Sequence, residues 1–171
     1  MEERTIHSKY LFNDLQLPAG YSSPIIIGYD IKTPENIGNI IRLADNVACH
    51  KVLFVTEKND IRESKIKKTA ASSFKSINWK FCSAKEFYKE IPDDFSLVAI
   101  ETSSDSENIY SSQLPTKIAL IVGNEIAGIS NELLDKCEKI VHIPIFGQNT
   151  SLNVSHSLAI AIFEWQRRMT K

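Results

Sequence analysis

Three short stretches of this 171-residue chain put glycine and polar side chains where chemistry could use them. Gly123-Asn124-Glu125-Ile126-Ala127-Gly128 follows an apolar run. A glycine at that point lets a ligand approach the backbone. The stretch has neither the glycine spacing of a dinucleotide fingerprint nor the lysine of a Walker loop. Taken alone it is a tight turn leaving a strand. Asn36-x-Gly38-x-x-x-Arg42 sets an arginine on the open face of a helix. A solvated arginine would look the same, yet the fixed fork of a guanidinium also suits a phosphate or alkoxide clamp. Ser151-Leu152-Asn153 precedes a helix, where capping is the ordinary job. Ser151 with His156 does not make a hydrolase, because no G-x-S-x-G elbow is present. His7, His50 and His142 lack ligand spacing, so no metal is assigned. Arg62, Lys65, Lys67, Lys68 and Lys75 form a basic stripe, either a solvated helix face or a surface for RNA.

These residues need elements to hold them. Residues 24–30 read as a first buried strand. Thr33-Pro34-Glu35 starts a helix, with threonine as cap, proline in the first turn and an acid at the positive end of the dipole. Ile37, Ile40, Ile41, Ala44, Val47 and Ala48 make its apolar stripe, and Asn36, Asn39, Arg42 and Asn46 lie away from it. Further strands are expected over 51–55, 77–81, 97–100, 117–122 and 140–143, with helices over 62–76, 84–91 and 132–137. Pro144 ends the last strand, since proline cannot donate to a ladder. A polar loop follows, then a helix capped by Asn153 or Ser155. Residues 158–163, LAIAIF, make that helix apolar nearly all round, where a helix on one sheet needs a single stripe. It therefore needs two partners.

Strands apolar throughout belong to parallel sheets covered on both faces. Alternating strands and helices give an α/β domain of about six strands. Ligands of such sheets sit beyond the carboxyl ends of the strands. The polar and glycine residues gather there, at Asp30, Thr102, Gly123 and 144–151. At 171 residues a single domain is expected, with residues 1–24 as an arm. The composition, 43% hydrophobic and 24% charged, is that of an ordinary soluble globule. No run of about 18 apolar residues spans a membrane, and residues 1–10 lack a signal peptide's apolar core. Three dispersed cysteines suit reduced thiols in the cytoplasm. The net charge of −1 does not favour nucleic acid, so any RNA surface must be a local patch.

The order and spacing of PENIGNIIRLAD, IVGNEIAGIS and IPIFGQNTSLNVSHSLAIAIFEW strongly resemble the three motifs of the SpoU/TrmH-type RNA 2′-O-ribose methyltransferases of the SPOUT superfamily. The likeness spans roughly residues 25–168. The stretch 66–79 also resembles a small-residue segment of these proteins, with Ser73 where many carry glycine. The resemblance implies a parallel sheet with a C-terminal trefoil knot, in which the chain from about Pro144 threads the segment after Thr102. It implies a homodimer, through the helix over 154–168, and S-adenosylmethionine as cofactor. Thr102, Gly123, Asn124, Ile143, Ser151 and Leu152 would line the cofactor pocket. Arg42, Asn36, Glu125, Ser151 and Asn153 would carry catalysis.

Three functions follow from these readings. The first is methyl transfer to a ribose 2′-hydroxyl of RNA. tRNA is the first expectation, because no separate RNA-binding domain is in view, and ribosomal RNA is the alternative. The second is a non-catalytic RNA-binding protein on the same scaffold. The third is an unrelated nucleotide-binding α/β protein, disfavoured by the missing phosphate fingerprints.

Overall fold

The computed structural model describes residues 16–57 and 61–170. Most of the expected arm therefore lies outside the described residues. Within 16–24 there is a turn and no helix or strand, and the Tyr21 hydroxyl donates to the Val47 carbonyl at 2.8 Å.

Seven strands form one parallel sheet: β1 (Ile25–Tyr29), β2 (Lys51–Val55), β3 (Trp79–Cys82), β4 (Ser96–Ile100), β5 (Glu107–Asn108), β6 (Ile118–Val122) and β7 (Lys139–His142). Their order is β3-β2-β1-β6-β4-β7-β5, and every pairing is parallel. Ile27 lies level with Leu53 on one side and Ile121 on the other. The two-residue β5 makes the count seven where about six were expected. It is too short to carry an apolar pattern and exists because β7 offers it an edge.

Alternation splits the core between two faces. Ile26, Val52, Leu120 and Val98 point to one, and Ile25, Ile27, Leu53, Ile121 and Ala99 to the other. The first face is covered by α1 (Pro34–Asn46), α2 (Glu63–Ala70) and α5 (Val154–Met169). The second is covered by a 3-10 turn at Phe87–Glu90 and by α4 (Asn131–Leu134). Burying each large aliphatic side chain contributes about 1.5–3 kcal/mol, so the sheet is a stiff platform for the loops above it.

Several expectations are corrected. The helix over 62–76 is two, α2 and α3 (Ser73–Ser76), broken at Ala71, whose φ is 54°. The break lets Phe74 meet Trp79 edge to face, with ring centroids 5.1 Å apart, and lets the Ser73 hydroxyl donate to Asp45 Oδ2 at 2.6 Å. The helix over 84–91 is only the 3-10 turn, and that over 132–137 shrinks to α4. Thr33 sits at the start of α1 but makes no side-chain cap bond. Asn36, placed away from the apolar stripe, is buried. The three cysteines are free, and burial pushes the Cys49 thiol up to about 12 and that of Cys137 to about 11.

Candidate active site

A cleft of about 480 Å³ opens beyond the carboxyl ends of β4, β6 and β7. Ile100 and Val122 end two of those strands, and the loops 123–128 and 143–153 supply walls. Ile143, Ile145 and Leu152 line it with backbone that belongs to no ladder. Among the described residues, no peptide group from Ile143 to Leu152 has a hydrogen-bond partner. Such groups, half-buried at Ile143 and exposed from Ile145 on, are free to donate to or accept from a ligand in place of water.

The wall at 123–128 is built around Asn124. Its N–H and C=O pair with the C=O and N–H of Gly128 at 3.1 and 3.0 Å. Its Oδ1 accepts from the N–H groups of Ile126 and Ala127, and its Nδ2 donates to the Asp30 carbonyl at 2.8 Å. Gly128 turns the chain with a φ of 66°, and a Cβ on Gly123 would stand 2.4 Å from the Gly128 carbonyl carbon. No side chain fits there. Glu101 braces the same wall. Its Oε2 accepts from Ile129 N–H at 3.0 Å and its Oε1 from Thr102 N–H at 2.9 Å.

Glu125 crosses from this loop to α1. Its Oε1 accepts from the Asn36 side-chain amide at 2.8 Å and from Thr33 N–H at 3.2 Å, and its Oε2 from Lys32 N–H at 3.2 Å. The acid thus caps the helix that Thr33 leaves uncapped. Asn36 Oδ1 accepts from Asn153 Nδ2 at 3.1 Å, and Asn153 Oδ1 caps α5 through Ser155 N–H at 2.9 Å. One chain of amides and a carboxylate therefore ties together residues 36, 125 and 153. Partial burial pushes the Glu125 carboxyl up, but the Asn36 amide and the surrounding N–H groups outweigh it and hold it below its ordinary range.

All six residues expected to hold the cofactor, Thr102, Gly123, Asn124, Ile143, Ser151 and Leu152, line the cleft. Of the expected catalytic set, Glu125, Ser151 and Asn153 line it, and Asn36 stands behind them in the amide chain. Arg42 does not line it. It lies exposed on α1, about 9 Å further along the helix axis than Asn36. Among the described residues it has no hydrogen-bond or ion-pair partner. Arg62, Lys65, Lys67, Lys68 and Lys75 are exposed on and beside α2 and α3, and Lys65 reaches Glu35 of α1 at 3.6 Å. Two titratable residues of the cleft, Glu101 and His142, were not anticipated as site residues. Glu101 is the first charged residue after the apolar run 97–100, which was a usable signal. His142 meets the Ser106 hydroxyl through Nδ1 at 3.0 Å, and no sequence spacing marked it. No group of His, Cys, Asp or Glu that could hold a metal occurs among the described residues.

The architecture defines an α/β protein with an open cleft on bent loops above a parallel sheet, without a phosphate-binding glycine fingerprint. The SpoU rRNA Methylase family model matches residues 23–163, and the chain belongs to that family. It is 26% identical over 165 residues to the 23S rRNA (guanosine-2'-O-)-methyltransferase RlmB of Salmonella typhi, covering 95% of this chain and 68% of that one. An AdoMet-bound rRNA methyltransferase from Sinorhizobium meliloti superposes with a TM-score of 0.80 at 23% identity, over 88% of this chain and 58% of the other. A TrmH/SpoU tRNA modifying enzyme of A. aeolicus gives 0.74 at 26% identity, over 85% and 75%. The chain thus spans under two thirds of the Sinorhizobium chain.

Proposed function

We propose that this chain transfers the methyl group of S-adenosylmethionine to a ribose 2′-hydroxyl of ribosomal RNA, as a homodimer. The observation that carries the reading is the meeting of residues 36, 125 and 153 beside a cleft walled by unpaired peptide groups. The name of the Salmonella relative supports ribosomal RNA over the tRNA first expected.

The cleft fits the cofactor by its donor set. Ile143 and Leu152 would offer backbone N–H and C=O to an adenine edge, and Thr102, Gly123, Asn124 and Ser151 would line the rest. S-adenosylmethionine supplies a methyl group on sulfonium, already activated for displacement. The protein's task is then to position the acceptor and handle its proton. The Glu125–Asn36–Asn153 chain holds the start of α1 against the loop bearing Ser151. Arg42 stabilises the developing alkoxide or grips the neighbouring phosphate. A guanidinium is a cation with no free lone pair to accept a proton and is a poor base, so a phosphate oxygen of the RNA takes the 2′-proton.

Arg42 stands outside the cleft of its own subunit, which supports service to the cleft of a second copy. The dimer would use α5, where Phe163 is 46% exposed and Ile160 half-buried on the helix that packs beside α1. The RNA would meet the stripe of Arg62, Lys65, Lys67, Lys68 and Lys75. We also propose that the chain after β7 is threaded through residues 101–117 as a trefoil knot. Supporting this, β7 lies between β4 and the β5 that the same segment carries. The far end of α5 is bonded to that segment too. Trp165 Nε1 donates to the Pro115 carbonyl at 2.9 Å, and Arg168 donates to the carbonyls of Ile109, at 2.6 Å, and Ser112. Three free thiols suit a reducing compartment such as the cytoplasm.

The test is Arg42→Ala in calorimetry and single-turnover methyl transfer. Cofactor affinity should stay near wild type while transfer falls at least about 10²-fold. Wild-type protein that binds RNA but no S-adenosylmethionine would point instead to a non-catalytic binder. Mapping the 2′-O-methyl groups lost from ribosomal and transfer RNA in a deletion strain identifies the substrate.

A further inference from the structure

We infer that the carboxylate of Glu101 lets the cleft tell the positively charged methyl donor from its uncharged thioether product, an inference that rests on the methyl-transfer reading above. Two carboxylates line the cleft, Glu101 and Glu125, and no lysine or arginine lines it. The charge of Glu125 is already answered. It faces three N–H donors at the start of α1, where the helix dipole supplies about half a positive charge. Glu101 has no such answer. Its two bonds come from neutral peptide N–H groups, which fix the carboxylate in place and leave its charge intact. Among the described residues no cationic side chain lies within ion-pair reach of it. Glu101 is half-buried, and a Cβ on Gly128 would stand 2.5 Å from its Oε2. A carboxylate pinned at the edge of a cleft without a cation is poised for a cationic ligand, since charge removed from water needs a partner.

The ligand of the proposed reaction changes charge as it reacts. The ammonium and carboxylate of its amino-acid end cancel, and the sulfonium leaves a net charge of one. Transfer breaks the sulfur–methyl bond, leaves that electron pair on sulfur, and forms the bond from methyl to the 2′-oxygen. The oxygen's proton passes to an RNA phosphate oxygen. The thioether left behind is neutral, so its attraction to Glu101 vanishes at the moment it must leave. Between unit charges a few ångströms apart in a part-buried cleft, that attraction is worth at least about tenfold in affinity.

The experiment is calorimetric titration of the full chain with S-adenosylmethionine, S-adenosylhomocysteine and sinefungin, whose protonated amine carries a positive charge in place of the sulfonium. Wild type should bind both charged ligands more tightly than the thioether. Glu101→Gln should weaken both charged ligands at least about tenfold and the thioether less than about threefold. Glu101→Asp keeps the charge and should keep the ratio, whatever it costs in absolute affinity. Equal losses for all three ligands in Glu101→Gln would mean that Glu101 only braces the wall, and no change would mean that it does nothing for the ligand. Either outcome overturns the inference and leaves methyl transfer standing. If Glu101→Gln does not fold, thioether binding as tight as the donor in wild type overturns it equally. Wild type that binds none of the three would sink the methyl-transfer reading itself.

Discussion

Asn36 shows how one side chain can be read wrongly for a physical reason. Its polarity assigned it to the open face of α1, yet it precedes Ile40 by four residues and so shares the buried side. It is buried because Glu125 and Asn153 satisfy its amide, and those partners lie 89 and 117 residues away. No local pattern could announce them, although the motif spacing singled out all three residues. Glu125 is legible as a polar loop residue but not as the cap of a distant helix. The cap has a measurable consequence in acid. The folded protein holds the Glu125 carboxyl below its unfolded value, so its contribution to stability is whole above the unfolded pKa. That contribution is lost as pH falls through the folded one. Glu125→Gln should therefore lower stability by about 1 kcal/mol at pH about 7, and the gap should close towards pH about 3. Urea melts of the two proteins across that range measure it, and a gap that widens in acid would contradict the assignment.

At the scale of elements, periodicity did well where strands and helices are long. β1, β2, β4, β6, α1 and α5 all form near the expected places, because their burial is continuous. It did worst where a short piece depends on its neighbour. β5 needs the edge of β7, and the split between α2 and α3 needs Asp45 and Trp79 to receive the second piece. The split matters for the proposed RNA surface, since it sets the four basic residues from Arg62 to Lys68 on and beside α2 and Lys75 on α3. Lys67 and Lys68 are exposed, so reversing their charge should leave the fold intact. RNA affinity should drop at low salt, and the slope of log affinity against log salt should flatten by about one to two units. Filter binding from about 50 to about 200 mM salt reads both. An unchanged slope would move the RNA to another face.

At the scale of the molecule, the apolar excess of α5 was legible as a demand for two partners. The structure supplies one of them in the core, through Leu158, Ala161, Ile162 and Trp165. Phe163 and its neighbours are left for the proposed second copy. Phe163→Asp should convert a dimer to monomers, visible by sedimentation, and those monomers should keep the wild-type far-UV circular dichroism, because the side chain is already 46% exposed in one subunit. If Arg42 serves the other subunit, those monomers should still bind the cofactor and should lose methyl transfer. A monomer that transfers normally would place the whole reaction within one chain.

The order of strands also imposes a timetable. β7 is the last strand to leave the ribosome, yet its seat lies between β4 and β5, which are made before it. A nascent chain that ends near residue 138 therefore leaves β4 as an open edge, with residues 98–100 facing an empty lane and β5 without the strand it pairs with. An open lane of that kind invites a foreign strand. The growing polypeptide should be a customer for chaperones until its final fifth arrives, however stable the finished protein proves to be.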